Sequence, residues 1–497
     1  MKMKVILAGH NIDQEIIREF REEHPERQDL TPETIAAAYA RISRYPKPVT
    51  ELRAIARGEV EKARASNRNI VFEMGHSSIA EHAVFNLDVL AVSRLLVEEI
   101  ERFRLASYTE KSQRYVLFQD DFVIPPEVRE ADLEKTFVST VRRQNDFYHR
   151  LYEKLRPWVF DRNPELAADP KNRGLLEGWA KEDARYCLPL GTETQLGMTV
   201  NARNVELMIR RLAASPLAEA REYSRRLYEA THAVAPSLVR YTEPTPYDLE
   251  TTAALRAETA GILGHFPAGA SDSSAGQAGT DLVRLVDVTP EADEKVLAAI
   301  LHSVSDLPFA DCREAAARMN RQERESLVKM ALRRMKAYDA APREFEQAVL
   351  TFELVISATC FAQVKRHRMA GITVQGYDPG LGITVPPAVA EIGMEGEFRE
   401  LCARTEETWE QIRRRAPAAA AYILTNAHRR RVLMRVSARE LYHLARVRAD
   451  GHAQWDIRET AVRMVALGRK AMPLTLLLAA GKDGFEALYA QVFDDNG

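Results

Sequence analysis

A pattern that occurs twice in the same order constrains this chain most. Residues 102–106 are Arg-Phe-Arg-Leu-Ala, and residues 366–370 are Arg-His-Arg-Met-Ala. Further along, Met-x-Val-x-Ala-Arg occupies residues 198–203 and again residues 434–439. Matched blocks in one order indicate a repeated structural unit, so we predict that the chain is a tandem duplication.

A strand pattern precedes the Arg-x-Arg block in both halves. Apolar side chains alternate along residues 85–89 and 352–356, which is typical of a half-buried strand. Each pattern runs into a serine, Ser93 or Ser357. Serine is a favoured N-cap residue, so we expect a helix to begin after each one.

The remaining patterns indicate helices with a few more strands. Each half opens with a short apolar strand pattern, at residues 5–7 and 283–288. Long segments with apolar residues at helical spacing cover residues 132–158 and 456–470. The sequence therefore predicts an α/β (α+β) fold in each half.

A change in composition divides the halves. Residues 244–281 contain a Pro-Thr-Pro turn followed by a run of Gly, Ala, Ser, Asp and Gln, which is typical of a flexible linker. We therefore predict a first domain over residues 1–243 and a second domain over residues 282–497.

Composition excludes several classes of protein. The 497 residues carry 69 Lys and Arg against 72 Asp and Glu, so there is no basic excess for nucleic-acid binding, although a small anionic ligand stays possible. No apolar run approaches about 18 residues, which argues against a membrane helix. The first apolar run is too short for a signal peptide.

The four cysteines form no C-x-x-C pair. We therefore expect a reduced, cytoplasmic protein without a disulfide framework.

Three segments carry polar residues suited to a ligand site. The first, residues 75–82, has two histidines and a glutamate whose spacing fits neither common zinc motif, so we favour a polar turn facing a ligand over a metal site. The second has Glu110, Ser112 and Arg114 in alternation, which would point one way along an extended loop. Such side chains suit a phosphate or a polar heterocycle. A solvated, salt-bridged helix end is the alternative.

The third segment is a strand-to-helix block present in both halves. In the first half it carries Asn201 and Arg203, with Arg185 upstream. In the second half it carries four cationic or imidazole side chains followed by Gly-His-Ala-Gln-Trp: Arg439, His443, Arg446 and Arg448. An arginine here together with the Arg-x-Arg block in both halves strengthens the case for an anionic ligand.

Together these motifs resemble the flavin-dependent thymidylate synthases. The resemblance rests on Gly-His-x-x-x-x-Glu-His, the Arg-x-Arg block with its Glu-x-Ser-x-Arg-Tyr loop, Asn-Ala-Arg, and Arg-Ala-Asp-x-His-Ala-Gln-Trp. It implies FAD as cofactor and methylation of dUMP by 5,10-methylenetetrahydrofolate with NADPH as reductant. It also implies the family's tetramer, which a chain of two subunit-like halves would form as a homodimer.

The resemblance also assigns roles to residues, and it implies no metal. Residues expected to bind nucleotide are Gln363, Ser112, Gln113, Arg114 and Arg185. Residues expected to bind flavin are Ser78, Arg102, Arg104, Glu110, Asn201, Arg203, Arg366, His367, Arg368, Arg439 and His443. Arg448, which would promote ionisation of the pyrimidine, and Ser112 are expected to be catalytic.

Neither half matches the family's set completely. The first half keeps the Glu-x-Ser-x-Arg loop, but departs from the family elsewhere. The second half keeps Arg-His-Arg but has lost the loop. The departures are Glu99, Phe103 and Leu212 in the first half, and Val374, Gly376, Asp378 and Ala421 in the second. We therefore expect productive sites that pair the first half's loop with the second half's Arg-His-Arg. A flavin enzyme of the same fold acting on another nucleotide, and a non-catalytic regulator that binds flavin or nucleotide, are the alternatives.

Overall fold

The structure is a computed structural model of the chain. It describes residues 2–11, 14–25, 30–42, 46–118, 120–264 and 282–493. These residues form two compact units. The first comprises the described residues up to 264 together with 388–425, and the second comprises 282–387 and 426–493. Among the helices in these ranges, none has the length and apolar composition needed to cross a bilayer.

Each repeat contains a four-stranded antiparallel sheet. The first sheet has the order β1-β2-β4-β3, and the second has the matching order β5-β6-β8-β7. Their strands are β1 (Lys4–Gly9), β2 (Val84–Ser93), β3 (Ala106–Glu110), β4 (Glu193–Asn201), β5 (Val283–Val288), β6 (Val349–Ser357), β7 (Gly371–Tyr377) and β8 (Arg429–Ser437). The predicted fold class and the tandem repeat are confirmed.

Helices make up most of the chain between and after the strands. In the first repeat they are α1 (Gln14–Glu23), α2 (Glu33–Ile42), α3 (Val49–Gly58), α4 (Val60–Arg68), α5 (Arg94–Ile100), α6 (Pro126–Glu130), α7 (Glu134–Arg162), α8 (Pro164–Ala167), α9 (Arg173–Ala184), α10 (Ala202–Ala213), α11 (Ala218–His232) and α12 (Pro246–Leu263). In the second they are α13 (Ala292–Ser303), α14 (Phe309–Arg318), α15 (Arg321–Leu332), α16 (Ala358–Val364), α17 (Pro387–Glu391), α18 (Glu395–Arg415), α19 (Ala438–Arg448), α20 (Trp455–Ala471) and α21 (Phe485–Phe493).

The central strands and their serine caps follow the sequence prediction. Phe85, Leu87 and Val89 of β2 are buried, because alternate side chains of a strand point to the same face. Oγ of Ser93 accepts the N–H of Leu96 at 3.0 Å and so caps α5. Such a cap stabilises a helix by about 1 kcal/mol.

The same cap recurs in the second repeat, and each capping serine donates to a carboxylate. Oγ of Ser357 accepts the N–H of Cys360 at 3.0 Å. The Ser93 hydroxyl donates to Glu219 near the start of α11, and the Ser357 hydroxyl donates to Asp456 near the start of α20, both at 2.6 Å. The duplication therefore extends from topology to individual hydrogen bonds.

Helix α18 belongs to the second repeat in sequence but to the first compact unit in structure. It packs along α7 through buried polar side chains. The hydroxyl groups of Thr140 and Thr408 lie 2.9 Å apart, and Nε2 of Gln144 donates to Oγ1 of Thr405 at 3.0 Å. A register shift would leave these buried polar groups unsatisfied, so the bonds fix the alignment of the two helices.

The predicted flexible linker contains a helix. Helix α12 begins after Thr245, whose hydroxyl accepts the N–H of Asp248, while the Asp248 carboxylate accepts the N–H of Thr245. This capping box, with proline at the first helical position, promotes helix formation there. The rest of the predicted linker, residues 265–281, lies outside the described residues.

Candidate functional site

In the first unit, two of the predicted phosphate-binding arginines converge on one glutamate. Arg185 follows α9 and is 8% exposed; its Nε donates to the main-chain oxygen of Glu182 at 3.2 Å. Arg114 forms an ion pair with the Glu182 carboxylate through its Nε. The structure therefore brings together Arg114 and Arg185, which lie 71 positions apart in the sequence.

A third arginine, which the sequence analysis missed, joins this cluster. Nη1 of Arg94, the first residue of α5, donates to Oε1 of Glu110 at 2.7 Å. Burial lowers the pKa of Arg185; Glu182 opposes that shift, and the positive charges of Arg94 and Arg114 add to it. Three guanidinium groups thus lie close enough to affect one another. The sequence feature that could have indicated Arg94 is its position directly after Ser93, the predicted N-cap residue.

The loop that carries Ser112 differs from the extended conformation expected. β3 ends at Glu110, and the chain then turns: Oγ of Ser112 accepts the N–H of Arg114 at 3.1 Å. The predicted alternation of Glu110, Ser112 and Arg114 along one extended segment is therefore wrong, because the serine hydroxyl stabilises a turn. Gln113 is buried, with 3% exposed.

The Arg-x-Arg residues follow a helix in both repeats rather than ending it. α5 stops at Ile100 and α16 at Val364. All four arginines of these blocks are exposed: Arg102, Arg104, Arg366 and Arg368. Arg102 pairs with Glu99 at 2.9 Å. An exposed pair of this kind contributes little to stability, so the Arg102 side chain can turn to a ligand at low cost.

The remaining first-repeat residues have local partners. Ser78 is exposed in the short 3-10 helix Ser77–His82. Oδ1 of Asn201 caps α10 by accepting the N–H of Asn204 at 3.0 Å. Arg203 pairs with Glu81, and its repeat counterpart Arg439 pairs with Glu346 at 2.8 Å.

In the second unit, a buried network is centred on His367. Its Nε2 accepts a hydrogen bond from Nε of Arg448 at 3.2 Å, and its Nδ1 lies 3.1 Å from Oε1 of Glu440. The His367 and Glu440 side chains are 2% and 8% exposed. Because arginine can only donate, these partners assign the His367 proton to Nδ1, which donates to Glu440.

The same network holds Arg448 from a second side. Nη1 of Arg448 donates to Oε1 of Gln363 at 3.4 Å, and Nε2 of Gln363 donates to Oε1 of Gln454 at 3.4 Å. Three predicted site residues, Gln363, His367 and Arg448, are therefore brought together within one unit. Glu440 and Gln454, which complete the network, were not among the residues predicted.

A cavity of about 270 Å³ opens beside this network. Its polar lining includes Arg439, Glu440, His443, Arg446 and Lys482, and its apolar lining includes Met335, Met369, Tyr442 and Phe485. Such a mixture suits a ligand with an apolar ring and a negative charge.

The pKa of His443, one of the residues that line this cavity, is lowered by its surroundings. Burial lowers the pKa of His443; Glu440 opposes this, and the positive charges of Arg446 and Arg448 lower the pKa further. Its Nδ1 accepts a hydrogen bond from Nη2 of Arg446 at 3.1 Å, as a neutral ring can.

The histidines and Glu440 also form a cluster with the composition of a metal site. Among the described residues, ligand atoms of His367, Glu440 and His443 all lie within 4.8 Å of one another. Both nitrogens of His367 already have hydrogen-bond partners, and two arginines contact the histidines. The geometry therefore favours a hydrogen-bonded network over a bound metal ion. That the protein binds no metal stays a prediction.

The second repeat lacks the arginine cluster. Where the first repeat has Glu110, Ser112 and Arg114, it has Val374, Gly376 and Asp378. Oδ1 of Asp378 accepts the N–H of Gly380 at 2.8 Å and caps a short 3-10 turn. This loop is therefore stabilised by its own main chain.

The first repeat likewise lacks the His367 network. By alignment of the repeat motifs, Phe103 replaces His367, Asn204 replaces Glu440 and Leu212 replaces Arg448. Phe103 is partly buried and Leu212 is buried. The duplicated halves thus carry different chemistry: an arginine cluster in the first and a histidine-centred network in the second.

Comparison with known proteins identifies the family. A family model described as "Thymidylate synthase complementing protein" matches residues 27–237 and again residues 284–474. The chain therefore belongs to this family and carries its domain twice.

Relatives match either one domain or nearly the whole chain. The flavin-dependent thymidylate synthase of Clostridium tetani is 30% identical over 217 residues, which cover 43% of this chain and 83% of that enzyme. A UPF0159 protein of Thermoplasma acidophilum is 26% identical over 476 residues, or 86% of this chain and 91% of the relative. A UPF0159 protein of Chlamydia muridarum is 23% identical over 424 residues, covering 82% and 78% of the two chains. The double-domain arrangement therefore has full-length relatives under a different name from the single-domain enzymes.

Proposed function

We propose that this protein is an FAD-dependent thymidylate synthase that methylates dUMP with 5,10-methylenetetrahydrofolate and NADPH. The observation that carries the proposal is the convergence of Arg114 and Arg185 on Glu182, next to the turn at Ser112. Guanidinium groups bind phosphate through paired N–H donors. This cluster would hold the 5′-phosphate of the nucleotide, with Gln113 beside it.

Arg448 would act on the pyrimidine. Gln363 and His367 hold its guanidinium in place in the absence of substrate. A fixed cation stabilises negative charge on the ionised ring, and a preorganised donor of this kind is worth about 3–4 kcal/mol in the transition state. No cysteine would be needed as nucleophile, and all four cysteines are buried.

The cavity beside His443 fits part of a flavin dinucleotide. Its apolar side chains suit a ring system, and Arg439, Arg446 and Lys482 suit the negative charge of a pyrophosphate. The exposed arginines of the Arg-x-Arg blocks, with Ser78, Glu110, Asn201 and Arg203, are the further flavin-binding residues we propose. When bound, the flavin supplies the hydride chemistry, while the protein holds and orients the reacting rings.

A tritium-release assay tests the proposal directly. Purified protein given 5-tritiated dUMP, methylenetetrahydrofolate and NADPH should release tritium and show flavin absorbance. Arg114→Ala and Arg448→Ala should each lower release strongly. Asp378→Ala is the control and should retain it, because Asp378 only caps its own turn. Flavin binding without tritium release would favour a flavin enzyme acting on another nucleotide, and the absence of both would favour a regulator.

We also propose that the domains over residues 1–243 and 282–497 act as two subunits of the family, so that a cytoplasmic homodimer provides four subunit-like domains. The tandem repeat supports this proposal, because closed symmetry is then reached with two chains. Light scattering should give twice the chain mass of 56.1 kDa. A monomer at micromolar concentration would contradict it.

A further inference from the structure

Arg94 belongs to neither repeated motif, yet its side chain is buried at the edge of the arginine cluster. It is 9% exposed, and its guanidinium forms an ion pair with Glu110. Within the part of the chain that the structure describes, its Nε is buried without a hydrogen-bond partner. A buried guanidinium N–H that lacks an acceptor is unfavourable, so the site is better satisfied with an acceptor present.

Main-chain contacts place Arg94 beside both elements that carry the other arginines. The N–H groups of Arg94 and Leu95 donate to the oxygens of Thr192 and Leu190 at 3.1 and 3.0 Å. That segment continues directly from the turn containing Arg185. Glu110, which Arg94 binds, is two residues before Ser112. Arg94 thus connects the Ser112 turn to the Arg185 turn.

Comparison with the second repeat shows whether Arg94 is needed for folding. Its helix α16 begins after Ser357 with the same cap geometry as α5, although Ala358 stands in place of Arg94. The partner position is Val374 rather than Glu110. The fold therefore forms without this ion pair, and the pair is absent from the repeat that also lacks counterparts of Arg114 and Arg185.

We propose that Arg94 is a third ligand of the phosphate site and makes it selective for a dianionic phosphomonoester. The three arginines outnumber Glu110 and Glu182 by one charge, and Arg94 supplies that excess. A phosphomonoester carries about −1.5 to −2 charge at pH 7, whereas a nucleoside carries none. The inference rests on the proposed function only in taking the phosphate to be that of dUMP.

Calorimetric titration of the full chain with dUMP, deoxyuridine and inorganic phosphate tests this role. Arg94→Met keeps a long side chain but removes the charge. We expect it to weaken dUMP binding about 10-fold or more, because a hydrogen bond to a charged group contributes at least that factor, and to leave deoxyuridine binding unchanged. Arg225→Met is the matched control, since Arg225 pairs with Glu222 on the exposed surface of α11. It should bind all three probes as the wild type does.

A double variant separates ligand binding from neutralisation of Glu110. If Arg94 contacts the phosphate, Arg94→Met combined with Glu110→Gln stays weak. If Arg94 only compensates the buried Glu110 charge, the double variant regains wild-type affinity and the proposal is overturned. Unchanged dUMP affinity in Arg94→Met overturns it as well, while leaving the proposed function intact. Binding of inorganic phosphate that depends on Arg94, without binding of dUMP, supports the site and contradicts the thymidylate synthase assignment. Failure of the wild type to bind either anion contradicts both.

Discussion

Glu440 accepts a hydrogen bond from Nδ1 of His367, and this contact leaves Nε2 of the ring as an acceptor for Arg448. The carboxylate thus orients, through one imidazole, the arginine that we propose acts on the pyrimidine. In the first repeat Asn204, Phe103 and Leu212 replace these three residues.

Replacement of Glu440 should release the His367 proton from Nδ1. In Glu440→Ala, we expect a mixture of tautomers by ¹⁵N NMR and a kcat lower by up to about 100-fold, with KM little changed, because a shift of about 1 Å in a positioned group can cost that factor. Glu440→Gln should restore most of the activity, because its amide oxygen still accepts the bond. An unchanged His367 spectrum in Glu440→Ala would show that the carboxylate does not fix the tautomer.

The surroundings of His443 predict a pKa below its usual value of 6.5. Removing the positive charge of Arg446 in Arg446→Met should raise the pKa of His443, since a neighbouring cation disfavours protonation. A depressed pKa also means that the folded chain binds fewer protons there than the unfolded chain. His443 therefore contributes stability above about pH 6.5 that is lost as the pH falls through its lower folded value. NMR titration of both proteins checks the direction, and a pKa above 6.5 in the wild type would contradict it.

The cysteine thiols should be inert in the native protein. All four are buried, and burial raises the pKa of Cys187, Cys360 and Cys402. Since the thiolate is the reactive form, Ellman's reagent should modify none of them in the folded chain and all four after unfolding. Rapid modification of one thiol with loss of activity would argue for a catalytic cysteine.

Tyr422 stabilises a buried carboxyl group in the first unit. Its hydroxyl donates to Oε2 of Glu219 at 2.6 Å. Tyr422→Phe should lower the free energy of unfolding by about 1.5–3 kcal/mol, the usual contribution of one hydrogen bond to a charged group, while Glu219 keeps its hydrogen bonds from Ser93. Urea unfolding measures the change, and Tyr338→Phe, at a residue 80% exposed, is the control.

The effect of Tyr422→Phe should also depend on pH. Burial already raises the pKa of Glu219, and the Tyr422 hydroxyl opposes that shift. Losing the hydroxyl therefore raises the pKa further. The stability linked to protonated Glu219 is present at acid pH and is lost as the pH rises through the raised pKa. The variant should consequently be more destabilised at neutral pH than at acid pH, and an equal loss at both would contradict this origin.

Local patterns predicted much of the fold. β2 and β6 follow from alternation of apolar residues, and the capping serines Ser93 and Ser357 mark the helices after them. α12 was not predicted, although Thr245 and Asp248 form a recognisable capping box. The small and polar residues that follow the helix in the sequence led to the prediction of a flexible linker over the whole segment.

The site was only partly predictable, because its partners are distant in sequence. Arg114, Arg185 and His367 were predicted as site residues from their motifs. Glu440 resembles any acidic residue in the first turn of a helix, and only contact with His367, 73 residues away, gives it a role. Arg94 likewise carries no periodic signal, and its partner Glu110 lies on a separate strand.

Because α18 packs against α7, we expect that neither repeat folds correctly when it is expressed alone. A chain ended within residues 265–281 would leave Gln144 and Thr140 on α7 without Thr405 and Thr408, while the complementary fragment would expose these threonines to solvent. Each fragment, when it is expressed separately, should therefore be insoluble or only partly folded. The same halves produced together from two open reading frames should reassemble by complementation.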